Sequence, residues 1–313
     1  MQYKIEAAVC SNMGKVRKNN EDNFYFDGKY MNESQRNAGS LLTKESDEDL
    51  QIYAVCDGMG GEEAGEEASI SAVRGLYQYA RSNYNWDDEG QIKSALQKIS
   101  DSIEDAAKSK GYHSGTTIAM VILHHNKAKT VHVGDSRVYC YENNKLSRLT
   151  VDHSEVQRML SMGLISESEL DTHPKRHVIS QFLGMPRDDA LLSPSISNEI
   201  ALKENKRFLI CSDGLTDMVK DPQISEILSA EKNVQDAANQ LIEAALHNGG
   251  KDNVTVICLD VKGAKENGKS QKNGRKNGLL SGKRKMRLSV GGMIVSLILI
   301  LFTAAMFLKD FIL

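Results

Sequence analysis

An α+β layered sandwich is the fold class that this 313-residue sequence predicts. Three observations carry it. Short β-branched and apolar runs recur along the chain and read as strands. Some are joined by tight turns such as Gly134-Asp135-Ser136, which suit antiparallel neighbours better than the long crossovers of a parallel sheet. Other segments place apolar residues at three- and four-residue intervals, the period of a helix with one buried face. In chain order, 51–56 reads as a strand, then 62–79 and 91–109 as helices. Strands follow at 116–123, 129–133 and 137–141, then a helix at 154–162. A strand at 207–211, a helix at 234–247 and a strand at 254–259 complete the series. The polar stretch 32–49 reads as a loop, and there is no internal repeat.

Charge divides the chain in two. Residues 1–261 carry a net charge of −12 and residues 262–313 one of +9, within a total of −3. An acidic body of that kind is a poor binder of phosphate backbones, so no nucleic-acid partner is expected and a nuclease is disfavoured. Cys10, Cys56, Cys140, Cys211 and Cys258 are scattered without CxxC spacing, and the last four sit in strand-like runs. Reduced, buried thiols in a cytosolic domain fit better than zinc or disulfides. No basic region followed by an apolar run opens the chain, so no secretory leader is expected.

The C-terminal part has a different character. Residues 288–308 contain no charge and would span roughly 32 Å as a helix, enough for a bilayer core. Lys283, Arg284, Lys285 and Arg287 stand immediately before it and place that side in the cytoplasm. The expectation is a single-pass transmembrane helix at 288–308 with a short end at 309–313. Residues 263–287, rich in Lys, Gly, Asn and Ser, form a basic linker with a reach of roughly 25–30 Å. Its charges either set topology alone or also draw the tether to anionic lipid, which would repel the acidic body. The body itself is expected to occupy 1–262.

Four acidic signatures carry the chemistry. They are Arg17-Lys18-Asn19-Asn20-Glu21-Asp22, Asp57-Gly58-Met59-Gly60-Gly61, Ser212-Asp213-Gly214 and Lys251-Asp252-Asn253. Aspartates placed at strand ends beside glycines are how a fold gathers oxygen ligands for a hard divalent cation. Asp-Gly alone is an ordinary turn. Strings of this kind drawn from distant segments point instead to one site closed by the whole domain.

In this order and company the signatures resemble the metal-dependent protein phosphatases of the protein phosphatase 2C family. The likeness extends over about residues 1–260 and takes in Gly134-Asp135-Ser136-Arg137, Ser114-Gly115-Thr116-Thr117 and Asp152-His153-Ser154. It implies a four-layer α-β-β-α sandwich around two mostly antiparallel sheets. It also implies two Mn²⁺ or Mg²⁺ ions, with Asp57 bridging them and the Gly58 carbonyl on one. Asp213 and Asp252 would complete the other ion, Asp22 and Glu21 would orient metal-bound water, and Asp135 would hold a third ion. Arg17 would clamp the substrate phosphate, so Arg17, Asp22 and Asp57 are the expected catalytic residues. The implied reaction is hydrolysis of phosphoserine and phosphothreonine on proteins, opposing a Ser/Thr kinase at the cytoplasmic face of the membrane. Two divalent ions can lower the pKa of a shared water enough to give hydroxide near neutral pH. No Cys-x5-Arg loop offers a covalent route. The alternative is a non-catalytic, membrane-tethered phosphoprotein-binding module, which loss of a core ligand would favour; none is lost.

One departure is informative. Eukaryotic members often place histidine where this chain has Met59, which cannot donate a proton. The form with methionine suits a bacterial source. His153 is then a candidate for the leaving-group proton, against a structural role. The segment 154–184, broken by Gly163 and Pro174, resembles the mobile flap of bacterial members, and Arg176 and His177 either meet an acidic phosphoprotein or are solvated surface charge. Glu62, Glu63, Glu66 and Glu67 read as first-turn helix residues favoured by the macrodipole rather than as ligands.

Overall fold

The long apolar strands alternate between two cores, and that alternation builds the architecture. In the computed structural model, which describes residues 3–60, 64–170, 172–188 and 191–263, the first strand β1 (Lys4–Asn12) is followed by β2 (Asp22–Phe26) and β3 (Lys29–Tyr30). β4 (Ser40–Ser46) and β5 (Leu50–Gly60) lead into helices α1 (Ala64–Ala80) and α2 (Glu89–Lys110). Five strands come next: β6 (Ser114–Thr116), β7 (Ile118–His124), β8 (Lys127–Val133), β9 (Arg137–Glu142) and β10 (Lys145–Arg148). Helix α3 (Glu155–Ser161), short strands β11 (Ser195–Ile196) and β12 (Ile200–Ala201), and β13 (Arg207–Cys211) follow. Helices α4 (Asp213–Thr216), α5 (Asp221–Ala230) and α6 (Val234–His247) precede the last strand, β14 (Val254–Lys262).

One sheet runs β10-β9-β13-β14-β1-β4 and the other β11-β8-β7-β5-β2-β3, with β12 beside β8 and β6 beside β5. Their pairings are antiparallel. In β14, Ile257, Leu259 and Val261 enter the core between the sheets, while Val254, Val256 and Cys258 face α4, α5 and α6. In β5, Tyr53 and Val55 enter the central core, while Ile52, Ala54 and Cys56 face α1 and α2. Strands covered on both faces need apolar residues at every position, which explains why these runs are continuous rather than alternating. The result is the expected α+β fold of two antiparallel sheets with a helical layer outside each.

Helix ends follow local chemistry. Asp88 caps α2 by accepting from Gln91 N at 3.0 Å, and Gly111 ends it in the left-handed region (φ 78°). Asn233 caps α6 through Asp236 N at 2.8 Å.

The expected strands form, and α6 has the expected bounds. The loop expected at 32–49 is corrected: it holds β4, an edge strand whose exposed residues Leu41, Thr43 and Glu45 alternate with half-buried ones against β1. β1, β2, β3, β10, β11, β12, α4 and α5 have no counterpart among the expected elements. Of the helix expected from 62, Glu62 and Glu63 lie outside the described residues. So do the linker beyond Gly263, the membrane helix expected at 288–308 and the end at 309–313. None of the described helices is long and apolar enough to cross a membrane. All five cysteines are free thiols; Cys10 is half-buried and the others are buried, as expected.

Candidate metal centre

Strand register brings the first two acidic signatures together. β2 runs antiparallel to β5 with Asp22 directly opposite Asp57. Asp213 opens α4 at the end of β13, Asp252 immediately precedes β14, and Asp135 sits in the β8–β9 turn after Gly134 (φ 106°). These segments meet at one end of the sandwich around a cavity of about 680 Å³, lined by Arg17, Glu21, Asp57, Gly58, Asp135, Asp213 and Asp252 among others. Asp22 lies buried behind Asp57. The expected site residues are thus gathered into one place.

Glycine permits this crowding at two positions. A Cβ on Gly58 would stand 2.1 Å from the Gly65 carbonyl oxygen, and one on Gly214 would stand 2.0 Å from that of Asn253. Both positions allow backbones to approach closely beside a carboxylate.

Small polar residues hold the acids in place. Ser212 Oγ donates to Asp22 Oδ2 at 2.8 Å and itself accepts from Thr255 N at 3.0 Å. Asp57 N donates to Thr117 Oγ1 at 3.1 Å, and Thr117 N donates back to the Asp57 carbonyl at 2.8 Å. Asn253 Oδ1 accepts from Glu21 N at 2.7 Å, while its Nδ2 donates to the Met13 and Asn19 carbonyls at 2.9 Å each. Thr117, Ser212 and Asn253 stand inside the quoted strings, but nothing in the strings shows what they bind.

The acids are held against their own ionisation. Burial pushes the Asp22 carboxyl up to about 7, with Asp213 and Asp252 adding to the shift and the nearby hydroxyls of Thr255 and Ser212 opposing it. Burial and then Asp22, Asp213 and Asp135 push Asp57 well above the usual carboxylate range. Asp135 is raised in the same direction by burial and Asp213, and Asp213 rises to about 6 through burial, Asp217 and Asp252. Asp22 Oδ1 and Asp135 Oδ1 are buried without a hydrogen-bond partner. An all-oxygen set with surplus negative charge and orphaned carboxylate oxygens fits hard divalent cations such as Mn²⁺ or Mg²⁺.

Arg17, half-exposed at the cavity, donates from Nη2 to Asp252 Oδ2 at 2.7 Å. Arg176 and His177 also line the cavity, with His177 Nδ1 3.7 Å from Asp217 Oδ2. His153 does not line it. Its Nδ1 accepts from Gly134 N at 3.3 Å, its Nε2 donates to Ser195 Oγ at 2.8 Å, and burial lowers it to about 4. A neutral imidazole engaged at both nitrogens and away from the cavity is structural, so His153 is not placed to protonate a leaving group. Arg137 in the Gly-Asp-Ser-Arg string pairs with Asp152 at 2.8 Å instead of facing substrate. Glu66 pairs with Arg36, and Glu67 meets Lys110 at 2.6 Å, so both serve the helix and its neighbours.

The Protein phosphatase 2C family profile matches residues 8–158. The serine/threonine phosphatase Stp of Listeria monocytogenes is 30% identical over 268 residues, covering 82% of this chain and 96% of that protein. The serine/threonine protein phosphatase PstP of Mycobacterium tuberculosis is 32% identical over 264 residues, covering 82% of this chain. Here the match spans only 45% of the relative's length. A solved PstP catalytic domain in complex with two manganese ions superposes with a TM-score of 0.67 at 29% identity, covering 83% of this chain and all of that one. The chain belongs to the protein phosphatase 2C family.

Proposed function

We propose that this protein is a metal-dependent serine/threonine phosphoprotein phosphatase. The observation that carries the reading is the convergence of Asp22, Asp57, Asp135, Asp213 and Asp252 at one cavity, with Arg17 at its mouth. Asp57, the Gly58 carbonyl, Asp213 and Asp252 would hold two Mn²⁺ or Mg²⁺ ions, with Asp22 and Glu21 beside them and Asp135 placed for a third. When bound, such ions supply an activated water and neutralise phosphoryl charge. The protein's own part is positioning. Ser212 and Thr117 fix Asp22 and Asp57, Asn253 fixes the loop that carries Glu21, and Asp252 aims the Arg17 guanidinium, whose planar fork suits phosphoryl oxygens. Met59 lines the cavity and carries no proton to give.

The substrates would be phosphorylated proteins, with a Ser/Thr kinase as natural opponent. Residues 1–262 would form the catalytic domain, 263–287 the basic tether and 288–308 a membrane anchor, so that catalysis faces the cytoplasm. The charge-free run and the four basic residues before it support that placement.

Phosphate release by the purified full-length chain from a phosphothreonine peptide, measured with Mn²⁺, Mg²⁺ or EDTA, tests the activity. Release with either ion and none with EDTA is expected. A folded, Mn²⁺-loaded protein that releases nothing from several phosphopeptides would instead be a binding module. Membrane fractionation tests the anchor: the full chain should sediment with membranes and a chain ending at residue 262 should not.

A further inference from the structure

A second set of metal-ligating side chains lies at the opposite end of β5 from Asp57, and no catalytic role touches it. Three turns meet there. Asp49 immediately precedes β5, Asp87 lies just before α2, and His124 and His125 stand at the tip of the β7–β8 hairpin, where Leu50 pairs with His124. His125 (φ 48°) and Asn126 (φ 61°) form the two-residue turn, so a histidine occupies a left-handed position that asparagine or glycine usually fills.

The contacts fix which nitrogen is available. His124 Nδ1 lies 2.9 Å from both carboxylate oxygens of Asp87, an acceptor that makes Nδ1 the protonated nitrogen of the neutral ring. Its Nε2 lone pair then points at another acceptor, Asp49 Oδ2, 3.5 Å away. His125 Nδ1 lies 3.0 Å from the same Asp49 oxygen, so by the same rule it donates there without an ion and would give up that proton to a bound cation. The two imidazole rings stack with centroids 3.7 Å apart. A lone pair facing a carboxylate is unfavourable, and a proton or a metal cation placed between them relieves it. Ligand atoms of Asp49, His124 and His125 all lie within 4.8 Å of one another. Tetrahedral zinc with bonds of about 2.0–2.2 Å asks for donors roughly 3.3–3.5 Å apart, so little movement is needed.

We propose that Asp49, His124 and His125 form a transition-metal site matched to Zn²⁺, with Asp87 as the positioning residue for His124. Two imidazoles and one carboxylate select borderline ions such as Zn²⁺ or Cu²⁺, whereas the carboxylate-rich catalytic cavity, where His177 beside Asp213 and Asp217 is the one imidazole among the lining residues, suits Mn²⁺ and Mg²⁺. The carboxylate–imidazole pair of Asp87 and His124 is the arrangement that orients a ligating histidine. Asp87 is itself anchored, since Lys129 Nζ donates to its carbonyl at 2.9 Å. A bound ion would tie the hairpin tip to the start of β5 and, through Asp87, to the entry of α2. The inference does not depend on the phosphatase reading.

Zn²⁺ titration calorimetry on the full-length protein in excess Mg²⁺ tests it, comparing wild type with the H124A/H125A, D87N and H177A variants. H177A controls for the histidine beside the catalytic carboxylates. Wild type and H177A should bind one more equivalent of Zn²⁺ than H124A/H125A, and D87N should weaken that equivalent about 10- to 100-fold. With Cu²⁺ as probe, electron paramagnetic resonance should show nitrogen coupling in wild type and H177A that H124A/H125A lacks. A wild-type circular dichroism spectrum and a cooperative thermal transition in H124A/H125A report that the variant is folded. Equal Zn²⁺ uptake by wild type and the double variant would overturn the proposal, leaving the four side chains as a hydrogen-bonded cluster that ties the three turns together. Nitrogen coupling that persists in H124A/H125A would overturn it equally.

Discussion

The two ends of the β13–β14 pair handle buried charge in opposite ways. At one end Arg207, buried opposite Asp260, makes a two-pronged bond to it at 2.5 and 2.8 Å. Arg207 Nη1 also donates to the Leu228 and Glu231 carbonyls at 2.9 Å each. At the other end Asp213 and Asp252 meet Asp22, Asp57 and Asp135, with Arg17 half-exposed at the rim. The first end completes its charge balance within the chain. The second leaves negative charge for a ligand to neutralise, and that imbalance marks the functional end.

The sharpest way to break the comparison is Asp57→Asn. It should lower kcat/KM by on the order of 10³-fold, measured by phosphate release with Mn²⁺, because the cation site loses its central carboxylate. Without metal its stability should match or exceed that of wild type, since a carboxylate held above its usual range has been removed. Arg207→Ala should do the reverse. Asp260 would then keep only Lys262, whose Nζ lies 3.0 Å from Oδ2, so the loss in denaturant unfolding should be clear but below the about 3–5 kcal/mol of a fully unpaired buried charge, with activity per folded molecule unchanged.

A pH series in EDTA is the next effect in size. Asp22 and Asp213 have folded-state values raised to about 7 and about 6. Groups raised in the fold favour it below their unfolded value near pH 4, and that contribution is lost as pH rises through 6 and 7. The melting temperature without metal should therefore fall by several degrees between pH 5 and pH 8, and Mn²⁺ should offset the fall. A flat profile would mean that the carboxylates are compensated within the protein. Arg17→Ala should have the smallest effect, about a tenfold rise in KM with a lesser change in kcat, read from initial rates.

Much of this was legible in the sequence because the chemistry sits in short local strings. Asp57, Asp213 and Asp252 stand beside glycines or turns, and continuous apolar runs mark strands covered on both faces. What escaped depends on pairing. β4 is an edge strand with only two apolar residues, Leu41 and Leu42, and looks like a loop until β1 lies beside it. The facing of Asp22 and Asp57 is a matter of register, which neither segment displays alone. Asn253 becomes a positioning residue only when the loops containing Met13, Asn19 and Glu21 fold against it. His153 attracted attention as a histidine in a family string, but its two hydrogen bonds and burial make it structural. The Asp49, Asp87, His124 and His125 cluster draws on three turns and has no linear signature.

Thermal unfolding with and without Mn²⁺ at pH 7.5, in wild type and Asp57→Asn, tests the central claim most directly. An ion that binds only the folded state raises the melting temperature by mass action. The account predicts a clear Mn²⁺-dependent rise in wild type and little or none in the variant, with the metal-free variant at least as stable as metal-free wild type. An equal Mn²⁺ shift in both proteins would contradict it, because the uncompensated carboxylates would then not be the cation site.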